Sequence, residues 1–222
     1  MKTSPAASGP ARRVSFLLTL LASLASPACF HDTSLQPDAS GGAGTSGGQQ
    51  GGSSDASDPR PHKRIAFNTA GGRDQPFSFN GDIGGLAGGD AKCQAGADYA
   101  QLGGAWIAWL SDSRTDAIDR VTSDGPWYTL DGHLAFAHKA DLAGVSRAVI
   151  EVDQAGAIVA ASSYWTGTRL GGTKDVANCK DWTSANDADE GVWGDGRNTA
   201  QWTSATHPAG CLGGINLLCL EL

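Results

Sequence analysis

Four of the five cysteines fall within the last 130 positions, at Cys93, Cys179, Cys211 and Cys219. No two of them form a C-x-x-C pair, which argues against a zinc ribbon. An even number in an exported domain instead fits two disulfides, with three pairings open. The fifth, Cys29, closes an N-terminal segment of another character. Arg12 and Arg13 precede an apolar run from Val14 to about Leu24. A charged start, a short apolar stretch and a small-residue exit read as a bacterial signal peptide over residues 1–28. The exit, Leu24-Ala25-Ser26-Pro27-Ala28-Cys29, is similar to a lipobox, which would make Cys29 the lipidated residue. Ordinary cleavage after Ala28 is the alternative, leaving a secreted protein. On either reading the mature chain is exported, to the outer membrane or cell surface if lipidated.

Residues 29–63 carry Gly41-Gly42-Ala43-Gly44-Thr45-Ser46-Gly47-Gly48 and Gly51-Gly52-Ser53-Ser54. Such composition cannot bury enough surface to offset its ordering entropy, so a disordered tether is expected. A lipid would then be the protein's only hold on the membrane. Charge sharpens the division. The first 61 residues hold four basic and four acidic residues, so the net charge of −7 lies wholly in residues 62–222, with 12 basic and 19 acidic. A basic surface for phosphate neutralisation is missing, which argues against nucleic acid as a partner.

Residues 64–222 have no linker-like break and hold all seven tryptophans. Asp90–Leu102 reads as a helix rich in alanine, ended by Gly103-Gly104. Ala105–Leu110 is apolar on both alternating faces and reads as a buried strand. Arg114–Val121 reads as a short second helix. Trp127–Leu130 and His133–Ala137 flank Asp131-Gly132, a hairpin signal. Ala148–Val152 and Ala157–Ala160 flank a turn at Gly156, and Ile215–Leu220 is a final strand. The pattern is α+β.

Several motifs together carry a resemblance. Gly84–Gln94, with Cys93 on the helix, followed by Leu102-Gly103-Gly104-Ala105-Trp106-Ile107-Ala108-Trp109-Leu110-Ser111, resembles the opening of endostatin-like domains. Tyr164-Trp165-Thr166-Gly167, Asn178-Cys179-Lys180-Asp181-Trp182, Gly210-Cys211 and Leu217-Leu218-Cys219-Leu220-Glu221 follow in the same order. The likeness covers roughly residues 80–222. A bacterial family of exported lipoproteins of unknown function, from spirochaetes and myxobacteria, is more similar still. Both imply a C-type-lectin-like fold with nested disulfides, Cys93 to Cys219 and Cys179 to Cys211. Endostatin-like zinc and heparin sites do not carry over, because only His62 stands near the domain start and arginines are few and scattered.

C-type lectins bind calcium and sugar in the loop between the inner cysteines. Here that loop contains Asn186-Asp187-Ala188-Asp189-Glu190-Gly191-Val192-Trp193-Gly194-Asp195. Calcium wants six to eight oxygens, and Asp187, Asp189 and Asp195 would supply them. Asn186, Glu190 and Trp193 complete the expected ligand-binding set, with Trp193 stacking on a sugar. The sugar-lectin signatures EPN and WND are absent, and a solvated acidic loop has the same composition. Trp106, Trp109, Trp165 and Trp182 are expected in the core, Trp193 and Trp202 nearer the surface. His133 and His138, five apart, share neither a helix face nor a strand face and read as surface residues. No GxSxG, HExxH or SxxK nucleophile or metal motif stands in a suitable context. The expected function is a non-catalytic cell-surface module that binds an extracellular protein or glycan through the loops between Cys179 and Cys211. A structural envelope lipoprotein and a hydrolase of unfamiliar site are the alternatives.

Overall fold

The computed structural model describes residues 62–70 and 78–222. The signal peptide, Cys29 and all of the tether except His62 and Lys63 lie outside the described residues. The strands are β1 (Arg64–Asn68), β2 (Trp106–Ala108), β3 (Trp127–Tyr128), β4 (Leu134–Phe136), β5 (Ser163–Trp165), β6 (Glu190–Gly191), β7 (Trp193–Asp195), β8 (Ala209–Gly210) and β9 (Asn216–Glu221). The right-handed α-helices are α1 (Gly85–Tyr99) and α2 (Ala117–Arg120). The fold is mixed α+β with two disulfides, Cys93–Cys219 and Cys179–Cys211.

All six residues of β9 are buried. It runs antiparallel to β1, with Ala66 opposite Leu220 and Asn68 opposite Leu218. Its other edge is shared. β5 pairs parallel with Asn216 and Leu217, and β2 pairs antiparallel with Cys219, Leu220 and Glu221. The larger sheet therefore runs β4-β3-β1-β9-β5-β7, with β2 branching from β9. Side chains alternate across a strand, so each central strand feeds two cores. Ala66, Ile107, Leu218 and Leu220 face one side with Trp109, Trp127, Phe136 and Trp202. Phe67, Trp106, Ala108, Leu217 and Cys219 face the other with Cys93, Leu110, Trp165 and Trp182.

α1 covers the second face and begins five residues before the expected Asp90. The run Gly84–Gly89 reads as a turn because glycine costs about 1 kcal/mol in a helix interior. Packing reverses that preference. A Cβ on Gly89 would stand 2.6 Å from Leu110 Cδ1, so the helix lies too close to β2 for a side chain there. One turn on, Cys93 bonds Cys219. Loop closure over 126 residues makes this bond worth about 5 kcal/mol, and the 32-residue inner one about 3.7 kcal/mol.

The edge of β2 away from β9 pairs with side chains rather than another strand. Gln94 Oε1 accepts from Trp106 N at 3.2 Å and Asp90 Oδ1 from Ala108 N at 3.0 Å. Arg120 donates to Ala108 O at 2.7 Å and Leu110 O at 3.1 Å, and its fork meets the Asp90 carboxylate at 2.6 and 2.7 Å. α1 and α2 thus finish the strand that a bare edge would leave open.

Other expectations are adjusted. α2 is one turn rather than Arg114–Val121, because Asp112 Oδ1 accepts from the N–H groups of Arg114 and Thr115 and holds them in a turn. β3 and β4 do form an antiparallel hairpin, with Trp127 opposite Phe136. The Ala148–Val152 and Ala157–Ala160 runs form only a Val152–Ile158 bridge around the Gly156 turn. Trp202 corrects its expectation. It is fully buried, packed on Phe136 at 4.6 Å and Trp109 at 5.2 Å, with Nε1 donating to Gly144 O at 2.7 Å. An indole brought over this apolar face buries a large area while keeping a partner for its N–H. Trp106, Trp109, Trp165 and Trp182 are buried as expected.

Arg120→Ala leaves Leu110 O without its donor and the Asp90 carboxylate with only the Ala108 N–H. Urea denaturation should show a loss of about 3 kcal/mol, with Arg120→Lys recovering part of it. Tyr164 offers the opposite case. Its fully buried hydroxyl has no partner among the described residues, and burial together with the Asp195 charge pushes its pKa up. Tyr164→Phe should leave the melting temperature unchanged or raise it, because an unsatisfied buried donor is lost.

Candidate functional site

Cys179, Lys180, Asp181 and Trp182 all have positive φ, at 51°, 54°, 57° and 63°. None is glycine. The segment is a single left-handed helical turn, a conformation costing roughly 1–2 kcal/mol per residue for L-amino acids. Trp182 N donates to Asn178 O at 2.9 Å, and Asn178 Oδ1 accepts from Asp181 N at 3.0 Å. Three further anchors hold the turn. Cys179 is pinned by its disulfide to Cys211. Trp182 is fully buried beside Trp165, and its Nε1 donates to Ser111 O at 2.7 Å. Asp181 accepts from Ser113 N at 2.7 Å, Ser113 Oγ at 2.9 Å and Asn178 Nδ2 at 3.2 Å. A Cβ on Gly191 would fall 2.7 Å from Cys179 Sγ, so β6 passes directly over the sulfur. Strain persists only where its surroundings over-determine it, as here.

The turn stands between two clefts. One, of about 520 Å³, is lined by Ser113, Arg169, Lys174, Asp175, Val176, Asn178, Lys180 and Asp181. The other, of about 320 Å³, shares Val176, Asn178 and Lys180 and adds Ala188, Asp189 and Glu190. The first is bounded by a hairpin bridged at Thr168 and Lys174. Each cation has a carboxylate partner. Arg169 Nε meets Asp175 Oδ2 at 2.7 Å, Lys174 Nζ meets Asp116 Oδ1 at 3.2 Å and Lys180 Nζ meets Asp189 Oδ2 at 2.9 Å. Partial burial works against the Asp175 anion, but the Ala177 N–H and the Arg169 guanidinium outweigh it and hold its pKa below the usual range. The Lys174 backbone N–H lowers Asp116, and the Ser184 hydroxyl and Lys180 lower Asp189.

The expected site residues are not gathered at one point. Asp189 and Glu190 line the smaller cleft. Asp187 is exposed against Gly210, and Asn186 Oδ1 caps Ala188 N at 3.0 Å. Asp195 sits on β7 and accepts from Arg197 N at 3.0 Å. Trp193 is half-buried on the same strand, its Nε1 donating to His207 O at 2.9 Å. Among the described residues no three His, Cys, Asp or Glu side chains are placed to share a metal ion, so Asp187, Asp189 and Asp195 do not form the calcium cage that their spacing suggested. His133 and His138 are exposed, as expected. The residues that do converge, Arg169, Lys174, Asp175 and Asp181, carried no signal as a set. Four consecutive left-handed residues without a glycine cannot be recognised from residue type. No protein-family model matches the chain, and no curated protein matches it.

Two outcomes follow from this geometry. Asp116, Asp141, Asp175 and Asp189 are held below their ordinary value of 3.8. Their stabilisation is present above the unfolded value and is lost as pH falls through the folded values. Melting temperature should therefore fall below about pH 4, and a thermal scan against pH checks it. Lys180→Gly removes left-handed strain while losing only an exposed ion pair. It should stabilise the protein by up to about 1 kcal/mol in urea denaturation, whereas the same change at a right-handed position would destabilise.

Proposed function

We propose that this chain is a bacterial surface-exposed lipoprotein, anchored through Cys29, whose domain has a C-type-lectin-like, endostatin-like fold. The domain binds an extracellular protein or glycan without catalysis. Recognition lies in the lobe closed by Cys179–Cys211, where loops and clefts meet solvent. The left-handed turn Cys179–Trp182 carries the reading. Its backbone is held in a costly conformation by a disulfide, a buried indole and a triply bonded aspartate, and it exposes Lys180 between two clefts. Strain held in this way clusters at sites that must present fixed groups to a ligand. The nested disulfides, which the resemblance implies, support the same reading. No described helix is long and apolar enough to cross a membrane.

An array of extracellular-matrix proteins and glycans, probed with the oxidised chain, tests the proposal. Saturable binding to at least one spot is expected. It should disappear in the Cys179→Ala, Cys211→Ala double variant while the Cys93–Cys219 bond and the circular dichroism of the sheet remain. EDTA should leave binding unchanged, since Asp189 is already engaged by Lys180 and Ser184. No binding, or binding indifferent to the inner disulfide, would reject the reading.

A further inference from the structure

We propose that the larger cleft, between the 168–174 hairpin and the left-handed turn, binds a sugar that carries a single carboxylate. This rests on the binding-module reading and names the ligand class and place. The cleft's volume, about 520 Å³, suits a ligand of one or two rings.

Its unused hydrogen-bonding capacity is nearly all donor. Arg169 contributes Nε to Asp175, and its terminal amino groups have no partner among the described residues. Lys174 and Lys180 each have ammonium protons beyond the one facing a carboxylate. Asn178 Nδ2 gives one proton to Asp181 and has a second. The acceptors, by contrast, are occupied. Asp181 already takes three hydrogen bonds, and Asp175 takes Arg169 and the Ala177 N–H. A ligand rich in acceptors completes this arrangement, and a carboxylate is the strongest such group.

The charge balance limits the ligand to one such group. Each cation is already paired with an aspartate, so the cleft offers no strip of free positive charge. The −7 charge of the chain lies in this domain and repels a polyanion at long range. Beside the donors stands Val176, 88% exposed, with the aliphatic stems of Arg169, Lys174 and Lys180 around the same cleft. Such stems cover an apolar ring face while their charged heads stay in water. Ser113 adds a hydroxyl acceptor for a ring hydroxyl.

A peptide carboxylate fits less well. Peptides commonly dock by adding a strand to an open backbone edge. Here the N–H of Lys174 goes to Asp116, that of Asp175 to Gly167 O, and those of Val176 and Ala177 to the Asp175 carboxylate. None of these four N–H groups is left for an extended chain to join.

The test titrates the 15N-labelled oxidised protein with the methyl glycosides of glucuronic, galacturonic and N-acetylneuraminic acid. The neutral methyl glucoside and galactoside and sodium acetate serve as controls. At least one acidic glycoside should shift the amides of residues 174–182, with affinity about tenfold above its neutral control and above acetate. Arg169→Gln and Lys174→Gln should each weaken it by about tenfold, with melting temperatures close to that of the parent. Overturning results are no shift with any acidic glycoside, equal binding of neutral glycosides or acetate, or full affinity in both variants. If the array captures ligands while these glycosides fail, the cleft assignment falls and the binding module stands. If acidic glycosides bind through Arg169 and Lys174 but array binding is unchanged in the inner-disulfide double variant, the cleft assignment stands and only the wider lobe reading falls.

Discussion

Both faces and both edges of β9 are in use, and this one strand sets where everything else must lie. β1 takes one edge, while β5 and β2 divide the other. Leu218 and Leu220 point into one core, and Leu217 and Cys219 into the second. The covalent bond from Cys219 to Cys93 then fixes α1 over the second core. A slip of one residue in β9 would exchange the two sets of side chains and move the sulfur to the wrong side of the sheet. Register is therefore specified three ways, by burial, by pairing on both edges and by a disulfide.

Short strands leave many backbone groups without strand partners, and this domain satisfies them with side chains. Asp90, Gln94 and Arg120 complete β2, and Asp181 completes the 111–113 segment in the same manner. Buried backbone groups must find partners somewhere. In a fold with two- and three-residue strands, carboxylates and a guanidinium take the place of neighbouring strands. The acidic composition is partly explained by this use, since many aspartates are tied to main-chain N–H groups.

The fold's outline was legible in the sequence where periodicity and burial agree. The Ile215–Leu220 run, the Trp106–Leu110 run and the Asp131-Gly132 hairpin each carry a signal that tertiary contacts reinforce. β1 was not anticipated, because Ile65-Ala66-Phe67 is too short a run to stand out beside a polar segment. The start of α1 was hidden by glycines that serve close packing rather than a turn. Trp202 read as a loop residue, yet the loop folds back and seats it between Phe136 and Trp109. The candidate site was the least legible part. The acidic loop from Asn186 to Asp195 drew notice by composition, but its carboxylates diverge along a strand and a ribbon. The residues that converge come from three segments, around positions 113, 169–176 and 178–181, joined by a backbone conformation that no residue type announces.

The nesting of the two bonds also determines how the molecule would carry tension. A pull applied at Arg64 and resisted at Lys180 need not follow the chain between them. The shortest covalent route runs from Arg64 to Cys93, crosses to Cys219, returns to Cys211 and crosses again to Cys179. The long stretch between Cys93 and Cys179, which supplies α2, the β3–β4 hairpin and most of the first core, lies off that route. Under load the chain that can straighten is confined to the 29 steps from Arg64 to Cys93 and the 8 from Cys211 to Cys219, while the stretch between Cys93 and Cys179 carries none of the tension.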